Sequence, residues 1–100
     1  MDRPRIEIEF CTLCQWMLRA AWMAQELIST FGQDLGEVAL QPRAGGVFRI
    51  RVDGAVVWDR TVDGGFPDAK TLKQRVRDRI APGRSLGHAD RAAAERSTEG

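Results

Sequence analysis

Arg5-Ile-Glu-Ile-Glu-Phe-Cys-Thr-Leu-Cys14 is the segment on which the fold turns. Its first six residues alternate strictly. Ile6, Ile8 and Phe10 share one face, and Arg5, Glu7 and Glu9 share the other, which predicts a strand with one wet side. Cys11-Thr-Leu-Cys14 follows, and no Gly or Pro interrupts the chain from there to Phe31. Leu13, Met17, Ala20, Ala24, Leu27 and Phe31 recur at steps of four and three, the stripe of an amphipathic helix. Gly32 is its expected C-cap. A Cys-x-x-Cys is thereby expected where a strand ends and a helix begins.

Further along, Gly36 to Gln41 reads as a short strand with Val38 and Leu40 inward, and Pro42 to Gly46 as a loop. Val47 to Val52 alternates again, with Phe48, Ile50 and Val52 against Arg49 and Arg51. Asp53-Gly54 is a tight hairpin signal, so Ala55 to Asp59 is the return strand. Gly64-Gly65 is a loop. Asp68 is the expected N-cap of a second helix carrying Ala69, Leu72, Val76 and Ile80 on one stripe, and Pro82-Gly83 stops it. No internal repeat is visible. Residues 1–83 are expected to form the domain, and 84–100 a flexible C-terminal tail in which apolar content collapses.

The order β-α-β-β-β-α, with alternation in the strands, argues against a sheet buried on both faces. Both helices are expected on one side, giving a two-layer α/β sandwich. Glu7 and Glu9 are opposite in sign to Arg49 and Arg51, which favours placing the first strand beside the third. The first and second strands are parallel through a right-handed helical crossover. The predicted result is a four-stranded mixed sheet of order 2-1-3-4, a reduced thioredoxin-like topology.

Composition narrows the function. One hundred residues make one domain, which buries about two-thirds of its unfolded surface without staples. Fifteen basic and fourteen acidic residues leave a net charge of +1, so no broad grip on nucleic acid is expected. No apolar run approaches the roughly 18 residues that span a bilayer, and the start lacks a signal-peptide core. A cytoplasmic protein with no membrane partner is expected. The two cysteines are confined to one motif, which in a reducing compartment points to chemistry and not to stapling.

That chemistry is thiol–disulfide exchange at Cys11 and Cys14. Free N–H groups and the dipole at a helix start stabilise a thiolate, and a spacing of two residues lets the sulfurs meet in one turn. Thr12 and Leu13 fill the gap and carry no charge, so the helix terminus is expected to tune the thiols, with Glu9 turned to the wet face. The competing reading is half of a zinc site. Structural zinc takes four ligands, and His88 is the remaining imidazole, so a site would have to be shared across a dimer. No metal or organic cofactor is expected.

Phe10-Cys-x-x-Cys-x-Trp16, Gly54 to Trp58 and Gly64-Gly-Phe-Pro67 together resemble the selenoprotein W-like group, the Rdx branch of the selenoprotein T/W/H family. The resemblance runs over about residues 4–82 and includes Leu86-Gly-His-Ala-Asp-Arg91. It implies a thioredoxin-like fold and a thiol-based oxidoreductase or redox sensor, with glutathione or protein thiols and disulfides as partners. Animal members often carry selenocysteine at the position of Cys14, which implies that Cys14 can attack. Thioredoxin-like logic instead makes Cys11 the exposed nucleophile. The same logic looks for a cis-proline beside the thiols, and Pro42 is the candidate.

Other candidate contacts cluster around the motif. Trp16 is expected near the core. Leu18 and Trp22 lie off the main stripe, either against the second helix or free as a docking patch. Gly64, Gly65, Phe66 and Pro67 form a loop expected beside the thiols, with Phe66 shielding the sulfurs. Lys70, Lys73, Arg75, Arg77 and Arg79 make the second helix basic, a face expected in solvent. The chain is expected as a monomer or weak homodimer. An alternative function is a redox-gated adaptor that docks a partner through Leu18, Trp22 and the 64–67 loop without turnover.

Overall fold

A computed structural model describes residues 3–83 and Leu86. The elements are β1 (Arg5–Cys11), α1 (Met17–Phe31), a 3-10 turn at Gly32–Asp34, β2 (Glu37–Arg43), β3 (Phe48–Val52), β4 (Ala55–Asp59), α2 (Arg60–Asp63) and α3 (Ala69–Ile80). The sheet order is β2-β1-β3-β4, with β1 parallel to β2 and antiparallel to β3. This is the predicted 2-1-3-4 arrangement, a mixed open sheet with a thioredoxin-like fold. The charge argument holds in register: Glu7 faces Arg51 and Glu9 faces Arg49.

Alternation on β1 and β3 drives the packing. Ile6, Ile8 and Phe10 meet Phe48, Ile50 and Val52 on one face, and α1 and α3 close over it with Met23, Leu27, Phe31, Leu72 and Val76. Burying each such side chain contributes about 1.5–3 kcal/mol. Asp53 and Gly54 both take positive φ, 48° and 85°, as a two-residue hairpin turn of this twist requires. Gly32 caps α1, its N–H reaching the carbonyl of Ile28. Leu86 is half-buried against the same core. The rest of the expected 84–100 tail, His88 included, lies outside the described residues.

Several local expectations are corrected. α1 begins at Met17, because the four residues after β1 form a turn. The turn takes Leu13 out of helical register, and the inward stripe is Ala20, Met23, Ala24, Leu27 and Phe31, with Leu13 and Met17 exposed. Pro42 is not in a loop. It lies in edge strand β2 opposite Phe10, where the missing N–H costs no ladder bond, and there is no cis peptide among the described residues. Leu40 shares the inner face but sits on that edge, so it stays partly exposed. The short α2 was not anticipated from the Gly64-Gly65 signal alone.

The wet face of the sheet is also more closed than alternation implies. Glu9 is buried under Arg43, Arg49 and Arg51, at 3.3, 3.4 and 3.4 Å. Arg49 also pairs with Asp59 at 3.0 Å, and Arg5 pairs with Glu7 and with Glu37. Three long guanidinium side chains over one carboxylate exclude water from it while satisfying its oxygens.

Candidate functional site

Cys11 is the last residue of β1, and Cys14 lies in the turn that follows. The turn is tied at both ends. The Thr12 N–H donates to the Arg43 carbonyl at 3.1 Å, and the Gln15 N–H donates back to the Thr12 carbonyl at 3.0 Å. Gln15 holds φ at 60°, a left-handed conformation that costs a residue with a side chain roughly 1–2 kcal/mol. That reversal lets the chain leave the strand, turn and enter α1 within five residues. It also brings the two sulfurs together: the Cys14 thiol donates to Cys11 Sγ at 2.7 Å.

The two thiols are unlike. Cys11 is buried and Cys14 exposed, and both are free. Access therefore reverses the thioredoxin-like expectation that the first cysteine faces solvent. The physical reason is position: Cys11 is still a strand residue, paired across to Arg43, whereas Cys14 sits out on the turn. The hydrogen bond from Cys14 holds the Cys11 thiol below the usual cysteine range. Burial opposes this, and the N–H groups of Gly46, Cys14 and Leu13 assist it. Cys14 is pushed up, first by bonding its proton to Cys11, then by desolvation and by the charge of Cys11. Arg60 and the Gly46 N–H act the other way. Gly46 comes from the loop before β3 and takes φ of 74°, which a residue with a Cβ rarely adopts. The helix start expected to tune the thiols is three residues beyond Cys14. Backbone N–H groups of the turn and of Gly46 take over that role.

An aromatic wall stands next to the turn. Trp16 packs edge-on against Phe66 at 5.0 Å and Phe48 at 6.3 Å, and Phe48 meets Phe66 at 4.9 Å. Phe66 thus braces Trp16 and Phe48. The loop that carries it is anchored by the Trp58 indole N–H, which donates to the Gly65 carbonyl at 2.9 Å, and by buried Pro67. Gly64 closes α2 in a left-handed conformation. The 64–67 loop is therefore brought to the site through Phe66, while Gly64, Gly65 and Pro67 shape its backbone.

Leu13 is 87% exposed, Leu18 76% and Trp22 45%. Leu18 and Trp22 each lie about 160° around the helix from Ala20. Both are exposed, and α3 reaches α1 one turn beyond Trp22, where Lys73 meets Glu26 at 3.0 Å. Thr12 is exposed and its hydroxyl donates to the Arg43 carbonyl at 3.4 Å. The basic face of α3 is more engaged than expected. Besides Lys73, Arg75 binds Asp63 at 2.9 Å and lies over Trp58, and Arg77 pairs with Asp78.

Sequence reasoning missed Gly46, Phe48, Arg19 and Arg60 as site residues. Arg60 lies 4.8 Å over the Trp16 ring and Arg19 lies 4.4 Å over Phe66. Gly46 and Arg60 are far from Cys14 along the chain, and no local pattern connects them to it. The one available signal was Asp59 with Asp63. Asp59 caps α2 by accepting from the Thr61 N–H at 2.9 Å, and Asp63 accepts from the Asp59 N–H at 2.8 Å. That reciprocal capping fixes Arg60 at the first position of the turn. For a metal, among the described residues no group of three or more His, Cys, Asp or Glu side chains is arranged to hold an ion. Among them too, no helix is long and apolar enough to cross a membrane.

Comparison with known proteins agrees with this architecture. Residues 5–78 match the Rdx family. The crystal structure of a protein from Bordetella parapertussis is 73% identical, with a TM-score of 0.77 over 78% of this chain and 99% of that one. That of a selenoprotein W-related protein from Vibrio cholerae is 52% identical, with a TM-score of 0.77 over 79% of this chain and 99% of that one. No curated protein matches the chain.

Proposed function

The chain belongs to the Rdx family, and from that premise we propose that it is a thiol–disulfide oxidoreductase in which Cys14 attacks and Cys11 resolves. The observation that carries this reading is the pair of free sulfurs 2.7 Å apart, one exposed and one buried. A bulky disulfide reaches Cys14. The pair starts with Cys11 as the thiolate and Cys14 as the thiol, and as the Cys14 sulfur attacks, its proton passes to Cys11 Sγ. A bond forms between Cys14 and the first substrate sulfur, the substrate disulfide breaks, and the second sulfur leaves as a thiolate that takes the proton from Cys11. The Cys11 thiolate then attacks Cys14 Sγ. The Cys11–Cys14 disulfide forms, and the remaining substrate sulfur leaves and is protonated by water. Two protein thiols are oxidised and one substrate disulfide is reduced, with no metal or organic cofactor. Protein disulfides and glutathione are the proposed partners, and the cytoplasm, where thiols are kept reduced, is the proposed compartment.

Serine variants test the order. With a disulfide substrate, Cys11→Ser is expected to accumulate a mixed disulfide on Cys14, read by intact mass. Cys14→Ser is expected to react at least about a hundredfold more slowly, since the remaining thiol is buried. A Cys11 adduct forming in Cys14→Ser at the parent rate would reverse the roles. A titration in glutathione buffers with alkylation of free thiols is expected to show a Cys11–Cys14 disulfide with a midpoint between roughly −180 and −270 mV. Absence of any disulfide or adduct across that range would reject oxidoreductase function.

The exposure of Leu18 and Trp22 on the helix that follows the thiols favours one second reading, a redox-gated adaptor. Its mark would be capture of a partner that survives reduction and is lost in a Leu18→Asp, Trp22→Asp double variant.

A further inference from the structure

The arginines divide into two groups. Arg5, Arg43, Arg49, Arg51, Arg75 and Arg77 each have a carboxylate within 4.0 Å. Arg19 and Arg60 have none among the described residues, and both lie over the aromatic wall. Arg19 stands 4.4 Å from the Phe66 ring centre, and Arg60 stands 4.8 Å from Trp16 and 5.9 Å from Phe66. Arg3 and Arg79 also have no carboxylate partner among the described residues, but they lie just before β1 and at the end of α3, away from the thiols. A guanidinium over a ring is held in place by cation–π attraction. Its edge N–H groups remain free, and those are the donors that grip a carboxylate in two-pronged fashion.

We propose that Arg19 and Arg60 are specificity-determining residues that select disulfides whose sulfur is flanked by a carboxylate. This rests on the exchange reading above and names the substrate class of the same site. Three features support it. The two cations sit on rings that touch each other and belong to one wall, so they are presented to the same incoming chain. That wall begins at Trp16, two residues after the exposed thiol. The charge of Arg60 reaches Cys14, where it favours the thiolate. Leu13, next to the exposed thiol in the chain, and Leu18 in the first turn of α1 are exposed apolar residues and would seat the apolar part of a peptide. An acidic segment of a protein and the carboxylates of glutathione share this chemistry.

The test compares exchange rates on synthetic peptide disulfides with one leaving group and a cysteine flanked by Asp, Asn or Lys, with glutathione disulfide as a fourth substrate. At low salt the Asp-flanked peptide is expected to react about tenfold faster than the Asn-flanked one, with the Lys-flanked one slowest, and the preference should shrink as salt rises. In the Arg19→Gln, Arg60→Gln double variant the Asp/Asn ratio is expected to fall to about two or less; all rates drop together as Cys14 loses the Arg60 charge, so the ratio is the readout. Arg19→Lys with Arg60→Lys should restore part of the ratio, which a merely structural loss would not allow. Arg79→Gln is the control and should leave the ratio alone. Faster reaction of the Asp-flanked peptide than of glutathione disulfide would point to protein segments as the carboxylate source, and the reverse order to the small thiol. Equal rates for Asp, Asn and Lys would overturn the assignment and leave exchange standing. No exchange with any of the four would overturn the proposed function itself.

Discussion

Helix α3 has Asp68 at its N-cap, whose carboxylate accepts from the Thr71 N–H at 2.7 Å, and its residues follow the expected register from the first turn. Helix α1 has Trp16 at its N-cap, which makes no side-chain cap bond, and it has no acidic residue in its first turn. It is preceded by Gln15 in a left-handed conformation. Both starts follow a β-strand or a loop and both lead into a helix packed on the same sheet face. The difference shows where local preferences are obeyed and where they are overridden. At α3 the cap satisfies an N–H group and nothing else is asked of the residues before it. At α1 those residues must hold two sulfurs within 2.7 Å and keep one of them at the surface. The bulk of Trp16 against Phe48 and Phe66 replaces the missing cap as the device that holds the helix start.

Trp16→Ala is the strongest way to break this comparison. Removing a half-buried indole from the wall is expected to lower stability by about 2 kcal/mol, below the range for fully buried aromatics, and to loosen the thiol pair. Denaturant melts together with the pH profile of alkylation would read both effects. A loss of stability with an unchanged thiol profile would show that the wall supports the core only. Asp68→Ala should cost about 1 kcal/mol, the usual value of an N-cap, or a fall in Tm of roughly 4–8 °C for a domain this size. Exchange rates should stay within about twofold of the parent, since the cap bond runs to Thr71 and not to the thiol turn; a larger drop would mean that the two helix starts are coupled. Gln15→Gly is the subtlest. Relief of the left-handed strain is partly offset by the freedom glycine gains in the unfolded chain, so stability should rise by about 0.5 kcal/mol. Slower disulfide closure in that variant, measured by stopped-flow oxidation, would show that the strained residue holds the sulfurs together. An unchanged rate would assign that task to the Arg43 and Gly46 contacts.

The legibility of the fold follows from the kind of signal each element gives. The strands β1 and β3 announce themselves by alternation, the hairpin by Asp53-Gly54 and α3 by its cap and stripe, because each signal lies within a few residues. Even the neighbouring of β1 and β3 was readable, since Glu7 and Glu9 match Arg51 and Arg49 in sign and register. Two local patterns misled. Leu13 and Met17 continue a helical spacing backward through residues that form a turn. Pro42 looks like a loop residue, yet an edge strand tolerates it. Glu9 misled for another reason: alternation says which face a residue takes, not what will be laid over that face.

The sequence by itself determined a mixed sheet with two helices on one side, built around a Cys-x-x-Cys between its first strand and first helix. Periodicity, turn chemistry and charge sign are properties of short segments, and short segments are enough to choose among the few ways of stacking these elements. Only the tertiary structure decided which thiol is exposed, what tunes the pair, and which cations stand beside it. Cys11 is buried because a strand neighbour and a distant glycine loop close over it. Arg60 is aimed at Trp16 by a short turn that begins 46 residues after Cys14. Accessibility and electrostatics are set by groups that meet only when the chain has folded, so no local pattern could carry them.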